Sequence, residues 1–187
     1  MILERNSGNA AARLVADPLT GQEIPHVVLS GGWERPMDLR SIAHLSPIVL
    51  YFYPGCNSST DDDEETTLID AALHRTFRDH QPDLEARNYR AIGISSQSNE
   101  SQQRAALASR ATQTLLCDPE LELARALPLP TFTRYDARWY ERLVMVSDGG
   151  RIEKVFFPVA DASRSAAQVI AWLTMRQRPA PGDDVAS

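Results

Sequence analysis

The stretch Ile48-Val49-Leu50-Tyr51-Phe52-Tyr53 is an unbroken apolar run closed by Pro54-Gly55, and Cys56 follows it directly. A short run rich in β-branched and aromatic residues, ended by Pro-Gly, predicts a strand buried on both faces. Such strands lie in the middle of a sheet covered by helices. A thiol just past the C-terminal end of such a strand sits where open α/β sheets place their binding crevices. The residues after it, Asn57-Ser58-Ser59-Thr60-Asp61-Asp62-Asp63-Glu64-Glu65, surround that thiol with negative charge.

The chain has 187 residues, enough for one domain with a full core. It carries 19 basic and 25 acidic residues, a formal charge of −6, with Lys and Arg scattered. That distribution offers no electrostatic footprint for nucleic acid or an anionic membrane. No apolar run reaches membrane-spanning length, and Met1-Ile2-Leu3-Glu4-Arg5-Asn6 lacks a signal-peptide core, so a cytoplasmic protein is expected. Cys56 and Cys117, the two cysteines, do not make a disulfide framework.

Residues 1–20 read as a flexible N-terminal arm, 21–177 as a single domain, and 178–187 as a disordered tail. Within the domain, strands and helices alternate. His26-Val27-Val28-Leu29 is a short strand, and Asp38 caps a brief helix through His44. After the Ile48 strand, a long helix runs from the acid segment to about His80. Leu68, Ile69, Ala72, Leu73, Thr76 and Phe77 recur at helical spacing and predict its buried stripe. The acids of its first turn oppose the positive end of the helix dipole, each worth ~0.5 kcal/mol.

Tyr89 to Ser95 is a further strand, Ser98 to Arg110 a polar helix, and Thr114 to Cys117 another strand. Asp118 then caps a helix with Pro119 at its first position, ending near Leu127. Thr131 to Thr133 and Glu141 to Val146 read as strands joined by an Arg/Tyr/Trp-rich loop. Ser147-Asp148-Gly149-Gly150 is a hairpin turn into Ile152 to Phe157. A last helix buries Ala166, Val169, Ile170 and Leu173. The order β-α-β-α-β-α-β-β-α describes a thioredoxin-like α/β sandwich, a central mixed sheet flanked by helices.

With its elements in that order, the chain resembles the peroxiredoxins, in the branch of bacterioferritin-comigratory-protein-type thiol peroxidases. The likeness runs from about Gly21 to Leu173. It is carried by Pro25-His26-Val27-Val28-Leu29, by Ile48 to Pro54, and by Ala91-Ile92-Gly93-Ile94-Ser95. Leu115-Leu116-Cys117-Asp118-Pro119, Leu129-Pro130-Thr131-Phe132 and Arg142 to Ile152 complete it. The resemblance implies a peroxiredoxin-type fold and a cysteine in the first turn of the helix after the YFYP strand. It also implies a Ser or Thr three residues earlier, a Pro four before that, and an Arg reaching over from a later strand. Helix-terminal amides and the guanidinium would stabilise a thiolate there and polarise a peroxide O–O bond.

Pro54 and Arg142 match that pattern, but the cysteine does not. Counting from Pro54 puts Ser58 at the hydroxyl position and Asp61 at the sulfur. Aligning instead on Phe77-Arg78-Asp79-His80 puts Asp70 at the sulfur and Arg75 at the usual resolving cysteine. Either register replaces the peroxidatic cysteine with a carboxylate.

Three functions follow from different classes. One is a thiol-dependent peroxidase of one-cysteine type using Cys56 with Arg142 and Ser58, acting on peroxide with an external thiol reductant. A carboxylate about 8 Å away, at an effective dielectric of about 20, raises a thiol pKa by on the order of one unit. The acid run therefore opposes that use of Cys56. Another is a repurposed, non-redox enzyme acting on a small organic molecule through Asp70, His74 and Arg142, and the third is a catalytically silent protein that binds a ligand in that pocket or interacts with a partner. Asp70 and His74 lie four apart on the long helix, where they share a face and suit general acid/base work.

Pro54, Tyr53, Tyr135 and Trp139 are the candidate substrate contacts. The cluster Arg134, Tyr135, Arg138, Trp139, Tyr140 reads equally as a ligand wall, an oligomer contact or an amphipathic hairpin covering the core. Cys117, at the end of a buried strand, is a packing thiol. No cofactor or metal is called for: His26, His44 and His80 lack ligand spacing. A homodimer is expected from the resemblance alone.

Overall fold

The Ile48 run forms β3 (Ile48–Tyr53), and all of its residues are buried. The computed structural model describes residues 13–31, 35–55, 61–134 and 136–176, without the side chains of residues 61–63. β3 is the middle strand of a five-stranded sheet. On one side it pairs in parallel with β4 (Arg90–Ser95), which pairs in parallel with β5 (Thr114–Cys117). On the other it pairs antiparallel with β8 (Leu143–Asp148), and β8 with β9 (Arg151–Phe156). The order β5-β4-β3-β8-β9 is the expected mixed sheet.

Strand periodicity sends alternate side chains of β3 into two different cores. Ile48, Leu50 and Phe52 join Leu39 and Ala43 of α2 (Leu39–Leu45), Leu123 of α6 (Glu122–Ala126) and Tyr140. Val49, Tyr51 and Tyr53 face the opposite layer. There they meet Leu73 and Phe77 of α3 (Asp61–Asp79), Ala106 of α5 (Asn99–Ser109) and Val169 and Leu173 of α7 (Ser165–Arg176). A short α4 (Gln81–Glu85), with Pro at its start, links α3 to β4.

Local chemistry sets most boundaries. Asp38 caps α2 by accepting from the Arg40 N–H, and Ser98 caps α5 by accepting from the Ser101 N–H. Gly149 and Gly150 hold positive φ in the β8–β9 turn, which suits glycine. Preceding α2, β1 (Val28–Leu29) and β2 (Met37–Asp38) form a small antiparallel ribbon.

Four sequence expectations are corrected. Residues 13–19, assigned to a flexible arm, are helical (α1); Leu19 is fully buried in the core, with Val15 and Ala16 packed against it. The N-cap of α6 is Leu121 and not Asp118, whose carboxylate still reaches the Glu122 and Leu123 amides at 2.7 and 3.0 Å, and Pro119 lies in a turn before the helix. Leu121 takes a left-handed conformation (φ 53°) there, so the helix begins only at Glu122.

The connection read as a loop after the Thr131 to Thr133 strand is part of a hairpin, one of the three readings of its aromatic-basic cluster. β6 (Thr131–Arg134) pairs antiparallel with β7 (Ala137–Tyr140), with Asp136 at positive φ between them. Leu68, placed in the buried stripe of α3, is 60% exposed. The face that packs inward instead carries Asp70, Leu73, His74, Thr76 and Phe77, so two polar groups occupy the place expected of an apolar one. The 178–187 tail lies outside the described residues. Among those described, no helix is long and apolar enough to cross a membrane.

Candidate active site

The sheet register brings the site residues together. Phe52 pairs with Leu143, so Arg142, just ahead of β8, arrives beside the C-terminal end of β3. There Gly55 turns the chain at φ 70°, where a Cβ would lie 2.4 Å from Gln97 Oε1. The positive φ favours glycine there, and any added Cβ would also have to displace the Gln97 side chain. The turn aims the Gly55 N–H at Asp70 Oδ2, 2.9 Å away. Arg142 Nε donates to the other oxygen, Asp70 Oδ1, at 2.8 Å, and Arg142 Nη2 donates to the Thr66 carbonyl at 3.3 Å. A carboxylate on α3 and a guanidinium at β8 thus form one ion pair, with the backbone after β3 as a second donor.

Asp70 is buried and the Arg142 side chain is 20% exposed. Burial pushes the Asp70 carboxyl up to about 6, although the Arg142 charge and hydrogen bond and the Gly55 N–H all pull it down. Desolvation outweighs the pairing, yet at neutral pH the group is still mostly ionised and held by Arg142.

His74 lies one turn further along α3 and has different partners. Its Nδ1 is 3.1 Å from the Tyr51 hydroxyl, which accepts from Gln113 Nε2 at 2.7 Å. Gln113 also donates to the His74 carbonyl at 3.0 Å. Tyr53 meets the imidazole edge-on, with ring centroids 4.6 Å apart, and its hydroxyl accepts from Gln102 Nε2. Burial pushes His74 down to about 4, so the ring is neutral near pH 7. Burial also raises the Tyr51 and Tyr53 phenols, which stay protonated.

Two cavities flank the ion pair. An outer cleft of about 400 Å³ is lined by Pro54, Thr66 and Arg142 on one side. Phe132 and Arg134 of β6, with Glu141, Phe157, Pro158 and Val159, complete it. An inner pocket of about 40 Å³ lies between α3 and α5, with Asp70, His74 and Tyr53 in its wall. Asp70 lines the inner space and Arg142 the outer, so their ion pair stands between the two.

Asp70, His74, Arg142, Tyr53 and Pro54 therefore gather around one strand end. Asp70 and His74 share the inward face of α3, as their spacing predicts, but each is held by separate groups. Cys56, Ser58 and Tyr135 lie outside the described residues, as does the side chain of Asp61. Trp139 lines neither cavity; its Nε1–H donates to the Arg134 carbonyl and braces the hairpin. Tyr140 is wholly buried, its hydroxyl donating to the Asp118 carboxylate, and belongs to the core. Cys117 is buried too, its thiol pushed up to about 12 by desolvation, which leaves it inert.

Sequence reasoning missed Gly55, Tyr51, Gln113 and the Phe157–Val159 wall. Only Gly55 carried a local signal, as the turn residue after β3. Among the described residues, no group of three or more His, Cys, Asp or Glu is placed to hold a metal ion.

Solved structures share this architecture. Peroxidoxin BcpB from Mycobacterium tuberculosis superposes with a TM-score of 0.68 at 21% identity, covering 85% of this chain and 98% of that one. A cysteine-to-serine mutant of PrxQ from Xylella fastidiosa gives 0.69 at 21% identity, covering 85% and 97%. The bacterioferritin comigratory protein of Xanthomonas campestris gives 0.64 at 20%, covering 81% and 92%. A comparison with curated proteins gives no match. The AhpC/TSA family model matches residues 20–138, most of the chain from the end of α1 through β6 and into β7, and the chain belongs to that family, with a peroxiredoxin-type fold.

Proposed function

We propose that this chain is a peroxiredoxin-family protein that has exchanged thiol chemistry for a fixed carboxylate. On this reading Asp70 stands where relatives hold sulfur, and the outer cleft binds a small organic molecule for non-redox chemistry. The observation that carries it is the Asp70–Arg142 pair at 2.8 Å, with Asp70's second oxygen on the Gly55 N–H. The guanidinium that a peroxidase would turn on a thiolate is engaged here through two of its nitrogens. A thiolate brought alongside would face the Asp70 charge, which raises a thiol pKa and lowers its reactivity. The remaining guanidinium edge is suited to hold a substrate oxygen at the cleft. Asp70, which lines the inner pocket and not the cleft, holds that guanidinium in place from behind.

A second reading, one-cysteine peroxidase through Cys56, draws support from Gly55. That residue immediately precedes Cys56 and is tied to Asp70, which ties the start of the cysteine's loop to the Arg142 site.

One pair of variants separates the readings. Under stoichiometric peroxide, wild type is expected to form no sulfenic acid on a catalytic timescale, and Cys56→Ser to change nothing. Asp70→Cys is expected to gain peroxide consumption, because it places a thiol against Arg142. Rapid Cys56 sulfenic acid in wild type, with turnover abolished by Cys56→Ser, would establish the peroxidase reading instead.

A further inference from the structure

We propose that the outer cleft takes a small monocarboxylate, its carboxylate on the Nη edge of Arg142 and its apolar body against Phe132 and Phe157. This rests on the non-redox reading above and names the class of molecule the cleft receives.

Arg142 supplies the anchor. Its guanidinium is pinned twice, Nε to Asp70 Oδ1 at 2.8 Å and Nη2 to the Thr66 carbonyl at 3.3 Å. The side chain still keeps 20% of its surface exposed, and it lines the outer cleft but not the inner pocket. Nη1 makes neither of those bonds and Nη2 carries a second proton. Together they present the planar fork that matches the two oxygens of a carboxylate. A fork already fixed in place loses little freedom when it binds.

The rest of the cleft divides into a charged side and an apolar one. Arg134 Nη1 donates to Thr66 Oγ1 at 3.4 Å, so one threonine gathers both guanidiniums, from β6 and from just ahead of β8. Phe132, Phe157 and Val159, also in the lining, are only half-buried. Aromatic rings left partly in water around a concave space are what an apolar ligand body covers.

Charge and shape narrow the class. An ammonium group would meet the two guanidiniums. A phosphate ester or dicarboxylate would bring its second negative charge toward Glu141, which lines the cleft, and toward Asp70 behind Arg142. A neutral amide would engage the fork through one oxygen only. A single planar anion meets none of these objections, and a cleft of about 400 Å³ has room for a ring-sized body.

Four molecules with one body test this: phenylacetate, phenylacetamide, phenethylamine and phenylmalonate. Each is titrated into the full chain by calorimetry, with ¹⁵N-labelled arginine reporting the Arg142 Nε–H resonance. Phenylacetate is expected to bind saturably, to shift that resonance, and to bind about 10-fold or more tighter than the amide and the dicarboxylate. Phenethylamine is expected not to bind. Arg142→Lys keeps the charge but not the fork, and is expected to weaken phenylacetate about 10-fold or more. Val159→Trp, which narrows the cleft, serves if the lysine variant does not fold. No binding of phenylacetate, equal binding of the amide or the dicarboxylate, or an affinity unchanged in both variants would overturn the carboxylate class. With Cys56 unoxidised under peroxide, the non-redox reading would outlast that result. Rapid Cys56 sulfenic acid would instead strike that reading, and this inference with it.

Discussion

The two faces of β3 are built on opposite terms. Ile48, Leu50 and Phe52 enter a core that is mostly hydrocarbon, with the Tyr140–Asp118 pair as its polar exception. Val49, Tyr51 and Tyr53, one residue out of step, enter a layer threaded by Gln102, Gln113, His74 and Asp70. Both faces are equally dry. The first holds the sheet together through shape and area, whereas the second gives up some of that to fix polar groups at the strand's end. Polar burial of this kind is costly unless each group is paired, so its concentration beside the two cavities marks the face that carries function.

The largest effect should come from the hydrocarbon face. Phe52→Ala removes a ring that packs against Tyr140 at a centroid distance of 5.1 Å and is expected to cost about 3–5 kcal/mol in urea unfolding. The His74 environment, read by NMR, should be unchanged, because that ring lies on the other side of the sheet. A Phe52→Ala variant that disturbs the His74 resonance would erase the distinction between the faces.

Next comes pH. Asp70, ordinarily near 3.8 and here about 6, binds more protons folded than unfolded in that interval. Its contribution is therefore present below pH 3.8 and lost as pH rises toward 6. His74, ordinarily 6.5 and here about 4, does the reverse: its contribution is present above pH 6.5 and lost as pH falls toward 4. Shifts of about 2 units each correspond to about 3 kcal/mol, and the two nearly cancel. Asp70→Asn should thus become more stable relative to wild type as pH rises from 4 to 6.5, and His74→Gln relatively less stable. Parallel pH profiles for all three proteins would show that neither group is buried as described.

Tyr51→Phe should fall lower on the scale, at about 1–3 kcal/mol, because it leaves His74 Nδ1 without its hydroxyl while Gln113 keeps the His74 carbonyl. Chemical denaturation measures it, and a neutral outcome would mean that the polar face is not tightly satisfied.

How much of this could be read from the residues alone follows from range. β3 and the parallel strands beside it were legible because buried strands announce themselves by local composition. The hairpin of β6 and β7 was legible only as one of three readings of its residues, since Arg134 and Arg138 break its apolar alternation and the cross-strand pairing is what decides it. α1 was hidden by an Ala- and Asn-rich start, and only its contact with the sheet core explains Leu19. At the site, the Asp70–His74 spacing was visible on one helix, and Arg142 through a family likeness. That Asp70 and Arg142 meet across 72 residues, or that Tyr51 and Gln113 meet across 62, depends on the sheet register. No local pattern encodes it.

The same limit predicts the smallest effect. Helical periodicity places Leu68 in the stripe with Leu73 and Phe77, as though α3 had a purely hydrocarbon inner face. The helix is instead turned so that Asp70 and His74 point inward, which carries Leu68 out to 60% exposure. Leu68→Gln should therefore change stability by no more than about 0.5 kcal/mol, the range of an ordinary surface exchange. A buried leucine in that stripe would cost several times as much, about 2–5 kcal/mol, when truncated. Thermal or urea unfolding of this one variant asks whether α3 is oriented by its polar residues or by its apolar ones, and a large loss would rotate Asp70 out of the site.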